Sequence, residues 1–426
     1  MIIFESTFPN NYRQEEIKRI LGLVTTGKFC QLVCVPGAGK ATILRLLAHN
    51  RSLLKFQLGE KEKMIRFIYL NLLELPNYDE AQIAKFLLLS LDQPVRAQND
   101  PLILTKLLNE TINRLANEGQ TLIFLFDHFD EVQNHLSRSF FQMLKGFKNL
   151  AKYKFATVFA TRRDLSELVD PEILKDFYDF FVGDTVYLAI YDKLASDFMF
   201  SQIEEVFKKK IPPKDKQAVI SLTGGHTKLT KVLAEIRLRE NTALDAQTLL
   251  ENPLIRATLF ELWLFLTAQE QRLLSKIAQK ALSQKDNAVE NLINFDLIKP
   301  KGQPQQFSFT IPLFAQFVKT MAPTVTQEKI IYDANTKEIT KGESTISDLL
   351  SPQEYRLLKF LIENAGRIVE RDEIIHAVWP DTQVAEGISD EAIDQMVYRL
   401  RRKIEDEPAT PKHITTVKGQ GTRYQP

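Results

Sequence analysis

The residues best placed to do chemistry lie at Cys34–Thr42, which reads CVPGAGKAT between the strand-like run QLVCV and the helical run ILRLLAHN. Strand, glycine-rich turn and helix start together make an anion site, because the first N–H groups of a helix lack intrahelical partners and face outward along its axis. Pro36, Gly37, Ala38, Gly39, Lys40, Ala41 and Thr42 are the residues expected to cradle a phosphate. Gly37 and Gly39 let the backbone approach, and the Lys40 ammonium is suited to the β and γ oxygens of a nucleotide. The match to G-x-x-x-x-G-K-[ST] is imperfect. Cys34 stands at the first glycine, and Ala41 at the hydroxyl that would bind Mg2+; Thr42 follows at once but points elsewhere on the helix.

A second element supports the first. Leu122–Glu131 (LIFLFDHFDE) is an apolar strand ending in acids, an arrangement that holds Mg2+ and an attacking water. Asp127 is the expected metal ligand and part of the nucleotide site. His128 stands where a second acid often follows, so Asp130 and Glu131, shifted along the chain, are the candidates for the catalytic acid. A third strand, Phe155–Ala160, ends in Thr161, Arg162 and Arg163, at the carboxyl edge where ligands bind in open α/β sheets. Thr161 belongs to the expected nucleotide site. Arg162 is either a γ-phosphate sensor with a catalytic role or a surface arginine. The expected ligand is ATP or ADP, with Mg2+ binding weakened at Ala41, and any hydrolysis is expected to be slow because the Walker motifs are degenerate.

A separate constellation lies near the carboxyl end. In Ile388–Glu405 (ISDEAIDQMVYRLRRKIE), Ile393, Val397, Leu400 and Ile404 form one apolar stripe at helical spacing, and Ser389 with Ala392 suggests where the helix begins. The other faces carry Gln395, Tyr398, Arg399, Arg402 and Lys403. Arg and Gln pair bidentately with guanine and adenine edges in the major groove. Downstream, HITTVKGQGTRY reads as a hairpin that presents Lys418, Thr422 and Arg423 to a phosphate or minor groove. By composition alone the helix is equally a solvated basic one, since Asp390, Glu391, Asp394 and Glu405 nearly balance its cations.

Elements to hold these groups can be read from the pattern. Strand-like runs at Gln31–Val35, Arg66–Leu70, Thr121–Phe126, Phe155–Ala160 and about Asp184–Ala189 alternate with helices, which argues for a parallel sheet covered on both faces. Helices from Ala195 through Arg239 read as a lid. Then LTAQEQRLL (Leu266–Leu274) and LSPQEYRLL (Leu350–Leu358) repeat one pattern: Thr267 or Ser351 followed three places on by Glu270 or Glu354, a capping box. Each leads into further helix and a hairpin, near Gly302 or Gly419–Gly421, so two tandem winged helices are expected. The equivalent helix of the first, Gln284–Phe295, carries Asp286 and Glu290 and no arginine, and reads as a contact between domains rather than a DNA reader. The fold class is thus an α/β P-loop NTPase with a parallel sheet, a helical lid and two winged-helix (α+β) domains. The expected divisions are 1–190, 191–250, 251–322 and 323–426, with the last boundary near Met321–Gln327.

Bulk composition narrows the partners. Net charge is +1 over 426 residues, so any nucleic-acid signal must be local. Cys30 and Cys34 are the only cysteines, too few for a disulfide or metal framework, which fits a reducing compartment. The start MIIFESTFPNNYRQEE lacks a signal-peptide pattern, and no apolar run reaches the roughly 18 residues of a membrane span. A cytoplasmic protein without a membrane partner is expected.

Two resemblances sharpen this reading. The motifs above resemble the STAND class of P-loop NTPases, relatives of AAA+ and origin-recognition ATPases, over about residues 1–320. Asn11–Ile17 (NYRQEEI) looks like that family's opening motif, which implies a place for Arg13 near the adenine. Thr161-Arg162-Arg163 is similar to its T-x-R sensor, and Thr223-Gly224-Gly225-His226 to its lid motif, with Thr227 at the usual proline. Residues 328–426 resemble the OmpR-type effector domain of bacterial response regulators, with Ile330–Asp333 and Lys337–Thr340 as its leading sheet and Thr422 where a tyrosine is usual. Together they imply a nucleotide-gated bacterial transcriptional regulator bound to double-stranded DNA, acting as a homodimer or nucleotide-dependent oligomer and open to an upstream protein signal. The alternatives are a DNA-processing ATPase of replication-initiator or transposition type, and a signalling or defence switch that acts by oligomerisation.

Overall fold

Apolar runs such as TLIFLFD and FATVFAT are stable as strands only where both faces are covered, and that is how they lie. The computed structural model describes residues 4–95, 99–175, 177, 184–240, 243–279, 288–302, 306–321, 330–334, 336–341, 344–380, 390–405, 411–417 and 420–425. Five parallel strands, β1 (Cys30–Val33), β2 (Ile65–Asn71), β3 (Thr121–Asp127), β4 (Phe155–Thr161) and β5 (Thr185–Tyr187), pair in the order β2-β3-β4-β1-β5. They are the five runs expected from the sequence, with small shifts at their ends. Parallel pairing puts all five carboxyl ends on one edge, and the connections at that edge carry the loop after β1, the acids after β3 and the arginines after β4.

The covering helices follow from their own residues. Helix Pro101–Asn117 starts where Asp100 accepts the Leu102 N–H and proline takes the first position, and it buries Leu104, Leu108, Ile112 and Leu115. Helix Arg138–Ala151 buries Phe140, Phe141, Leu144 and Phe147. Phe140 meets Phe126 edge-on at 5.6 Å, and Phe126 stacks on Phe159 with centroids 5.1 Å apart, so phenylalanine fills the core beneath the site.

Helices Lys193–Phe207, Pro213–Thr223 and Thr227–Glu240 occupy the stretch expected as a lid. A winged-helix arrangement follows, with helices Pro253–Phe265, Ala268–Ala278, Ala288–Asn294 and Pro312–Met321, and the antiparallel pair β6 (Ile298–Pro300) and β7 (Phe307–Phe309). Residues Gln284 and Asp286, assigned to its third helix from sequence, lie outside the described residues. Sheet, lid and this winged helix make up one unit, Met1–Met321, with a continuous apolar core.

The second unit, Ala322–Pro426, has a separate core. Its leading sheet is β8 (Ile330–Asp333), β9 (Glu338–Lys341) and β10 (Ser344–Thr345), antiparallel throughout. Helices Pro352–Glu363, Arg371–Val378 and Asp390–Ile404 follow. The wing is β11 (Ile368–Val369), β12 (Ile414–Val417) and β13 (Gly421–Tyr424), in the order β11-β13-β12. The buried Tyr424 donates its hydroxyl to the Ile330 carbonyl at 3.0 Å and so ties wing to leading sheet. Both capping boxes form, Thr267 with Glu270 and Ser351 with Glu354. Among the described residues no helix is long and apolar enough to cross a membrane.

Candidate functional site

The loop after β1 turns into helix Lys40–His49 through two glycines in the left-handed region, Gly37 at φ 76° and Gly39 at φ 110°. At Gly39 the space is open and only the backbone angle demands glycine. At Gly37 a Cβ would lie 2.8 Å from Lys228 Cβ and 3.0 Å from His226 Cε1, so the lid also requires its absence. The lid meets the loop carbonyls one after another. His226 Nε2 donates to Pro36 O at 2.8 Å, the Lys228 N–H to Gly37 O at 3.1 Å, and the Thr227 hydroxyl to Ala38 O at 3.1 Å. Thr227, the departure from the lid motif, thereby makes a contact that proline lacks the donor to make.

His226 is fully buried, and its Nδ1 accepts the Leu229 N–H at 3.2 Å. One ring nitrogen donates and the other accepts, which only the neutral imidazole can do. Burial pushes its pKa down to about 4, against a weaker upward pull from the Pro36 carbonyl.

The acids after β3 are placed by a tight turn. His128, at φ 58°, begins the short helix Phe129–Val132, which brings Asp130 back to the loop. Asp130 is nearly sealed from solvent and lies between two cations. Lys40 Nζ donates to its Oδ1 at 2.8 Å, and Arg162 Nε stands 2.5 Å from its Oδ2, close enough for an ion contact though not aligned as a hydrogen bond. Glu131 Oε1 meets His128 Nδ1 at 3.0 Å and Arg162 Nη2 at 3.3 Å. The histidine bond, helped by Arg162 and Lys40, holds its carboxyl below the usual range despite partial burial. The structure therefore brings Lys40, Asp130, Glu131 and Arg162 together, and Arg162 is no isolated surface arginine.

Asp127 is placed differently. It is wholly buried; its Oδ2 accepts the Tyr69 hydroxyl at 2.7 Å and its Oδ1 the following backbone N–H at 2.9 Å. Mg2+ needs a near-octahedral set of accessible oxygens. Ala41 offers none, Asp127 is enclosed, and Asp130 and Glu131 already hold cations. The residues present do not fit a Mg2+ site, and among the described residues no group of three His, Cys, Asp or Glu side chains is placed to hold a metal. Tyr69 escaped sequence reading because nothing local marks it; parallel register between β2 and β3 brings it to Asp127.

Three further expected residues have structural partners. Arg13, buried at φ 47°, gives its guanidinium to Ala189 O at 2.5 Å, Ile190 O at 3.5 Å and Glu16 Oε1 at 3.3 Å, pinning the exit of β5 to the first long helix. The Thr161 hydroxyl is buried and makes no hydrogen bond among the described residues. Arg163 turns away from the acids and grips Glu270 with two bonds, 2.7 and 2.5 Å, while stacking on Phe265 and Phe295 at 4.5 and 4.9 Å. The capping-box acid of the first winged helix is thus neutralised by the residue next to Arg162.

In the second unit, helix Asp390–Ile404 buries Ile393, Met396, Val397, Leu400 and Ile404. Gln395, Tyr398, Arg399 and Arg402 are exposed, and their spacing of three, four and seven places them on one face. Among the described residues neither Arg399 nor Arg402 makes an ion pair. Of the expected DNA contacts, Lys403 has partners within the unit and Thr422 is covered. Lys403 is exposed but gives its ammonium to Glu354 Oε2 at 2.6 Å and Leu349 O at 2.8 Å, because the buried capping-box carboxylate of this unit needs a cation too. Thr422 is buried, since alternation along β13 points it inward with Tyr424. Arg423 is half-buried, and Lys418 and Ser389 lie outside the described residues.

Residues 348–424 match the family described as Transcriptional regulatory protein, C terminal, so this unit is an OmpR-type winged helix. The chain is 30% identical over 103 residues to the Transcriptional regulatory protein KdpE of Mycobacterium tuberculosis, covering 24% of this chain and 43% of that protein. It is 38% identical over 73 residues to the Sensory transduction protein RegX3 of Mycolicibacterium smegmatis, covering 17% and 31%. The chain therefore spans less than half the length of these curated relatives. Among solved structures it is similar to the Walker-type ATPase PABY2304 of Pyrococcus abyssi, at 16% identity and a TM-score of 0.47, over 72% of this chain and 95% of that one.

Proposed function

We propose that this protein is a transcriptional regulator that binds double-stranded DNA through its carboxy-terminal winged helix, under control of ATP or ADP held at the loop Pro36–Thr42. The observation that carries the reading is the exposed face of helix Asp390–Ile404. Gln395, Tyr398, Arg399 and Arg402 share it, on a helix anchored by its opposite side, within a unit that matches a transcriptional-regulator family. Two arginines that make no ion pair among the described residues, with a glutamine beside them, are suited to base edges, and Tyr398 to the sugar-phosphate wall. Arg423 is the wing contact this reading retains.

Control by nucleotide is supported by what touches the loop. The lid bonds three of its carbonyls, and the first winged helix is held by the residue adjacent to Arg162. A phosphate that reorganises Lys40 and Arg162 acts on residues adjacent in sequence to both contacts, and a difference there between bound and free states is what an allosteric effect requires. A second copy, paired through either unit, would supply the avidity a single winged helix lacks, and an upstream protein could enter through the lid. Hydrolysis is slow or absent, because Ala41 lacks the hydroxyl that would bring a metal and Asp127 is enclosed by Tyr69.

The test is DNA binding by the full chain with ATP, with ADP and without nucleotide, for wild type and Lys40→Ala. Nucleotide should change the affinity of wild type by about five- to 150-fold, the usual range of allosteric coupling, and leave the variant unmoved. Equal affinities in every arm would refute control by nucleotide, and loss of DNA binding in all arms would refute the DNA reading itself.

A further inference from the structure

Asp130 sits where the anion of a ligand is expected. Its carboxylate lies between Lys40 Nζ at 2.8 Å and Arg162 Nε at 2.5 Å, the two cations best placed for phosphate, and it is 3% exposed. Nothing in the local sequence requires an acid to be shielded there. The turn at His128 delivers it to the loop, and Glu131 holds Arg162 from the other side. Meanwhile the groups that would bring a divalent cation are missing or enclosed, with Ala41 lacking an oxygen and Asp127 occupied by Tyr69 and its own following N–H.

Resting on the nucleotide-binding reading above, we propose that the nucleotide binds without Mg2+, its phosphates displacing Asp130 from Lys40 and Arg162. Asp130 is then an internal competitor that occupies the phosphate position when no nucleotide is bound. Lys40, Arg162 and the N–H groups at the start of helix Lys40–His49 supply the positive charge that a metal supplies elsewhere. The displaced carboxylate carries a like charge to the incoming phosphate, so its release opposes binding and sets the affinity. The exchange involves no covalent step: two ion contacts to a carboxylate are replaced by two to a phosphate. It also makes the site selective for a strong polyanion, because a singly charged ligand gains too little to expel Asp130.

The experiment is calorimetric titration of the full chain with ATP and with ADP, in EDTA and in excess Mg2+, for wild type, Asp130→Asn, Asp130→Ser and Lys40→Ala. Thermal melting of each variant confirms that it is folded. For wild type the affinities in EDTA and Mg2+ should agree within about threefold, since among the described residues no group of three His, Cys, Asp or Glu side chains is placed for the metal. Asp130→Asn and Asp130→Ser should bind at least about tenfold tighter in EDTA, by removal of a like charge beside the phosphate. Binding that weakens more than about tenfold in EDTA overturns metal independence, because it means the ion carries part of the affinity. Unchanged or weaker binding in both Asp130 variants overturns the competitor role. Absence of binding by every protein under every condition instead removes the nucleotide reading, and this inference with it.

Discussion

His226 joins sequence motif and tertiary contact in a single ring. Its neutral state is required by acceptance at Nδ1 from the Leu229 N–H, while Nε2 donates to Pro36. Its folded pKa, about 4, lies below the ordinary value of 6.5. Between those values the unfolded chain binds a proton that the folded chain refuses, so stability falls as pH drops from about 6.5 to about 4 and levels off below. We expect the melting temperature of the first unit to decline across that window in wild type and to decline less in His226→Gln. Parallel pH profiles for the two proteins would show that the ring does not titrate as described. Arg163 works at the same scale. Its bond to buried Glu270 attaches the first winged helix to the carboxyl edge of the sheet, and removing one partner of such a pair typically costs about 3–5 kcal/mol because the other charge is left uncompensated.

At the scale of elements, the capping box does more than start a helix. In both winged helices its glutamate is buried and needs a cation. In the second unit Lys403 comes from helix Asp390–Ile404; in the first, Arg163 comes from just after β4. This divides the basic residues of helix Asp390–Ile404 into two kinds. Arg399→Ala and Arg402→Ala should each weaken DNA binding by about 1–3 kcal/mol if they read bases, or lower the salt slope by about one unit if they touch phosphates. Lys403→Ala should instead lower the melting temperature of the second unit, because Glu354 stays buried without its cation. Titration of labelled duplex at several salt concentrations, with a melting curve for each protein, separates the two effects. Greater loss of DNA affinity from Lys403→Ala than from Arg399→Ala, with unchanged melting, would contradict the role given to Lys403 as the cation of Glu354.

For the whole molecule, the division at Met321 and Ala322 implies two cores that unfold separately. Scanning calorimetry of the full chain should show two transitions. ADP at about 100 times its dissociation constant should stabilise the first unit by about 2.7 kcal/mol, by mass action on the folded state alone. Lys40→Ala should abolish that shift and leave the second transition unchanged. A single transition that moves as one with nucleotide would indicate that the two cores are thermodynamically joined.

Much of this was legible in residue order, and the reason is local. Strands buried on both faces need unbroken apolar runs, so Thr121–Asp127 and Phe155–Thr161 announce a parallel sheet. Capping boxes need a hydroxyl and a glutamate at fixed spacing, so Thr267 and Ser351 mark their helices. The apolar stripe of Asp390–Ile404 determines which side chains face out. Pairing across the chain was not legible, because it depends on register and on turns that return the backbone to a distant element. Only the tertiary structure places Tyr69 on Asp127, folds Asp130 back between Lys40 and Arg162, and turns Arg163 and Lys403 onto buried glutamates. Sequence determined where charge is available; the fold decided which charges are already satisfied, because a buried carboxylate takes the nearest cation wherever the chain brings it.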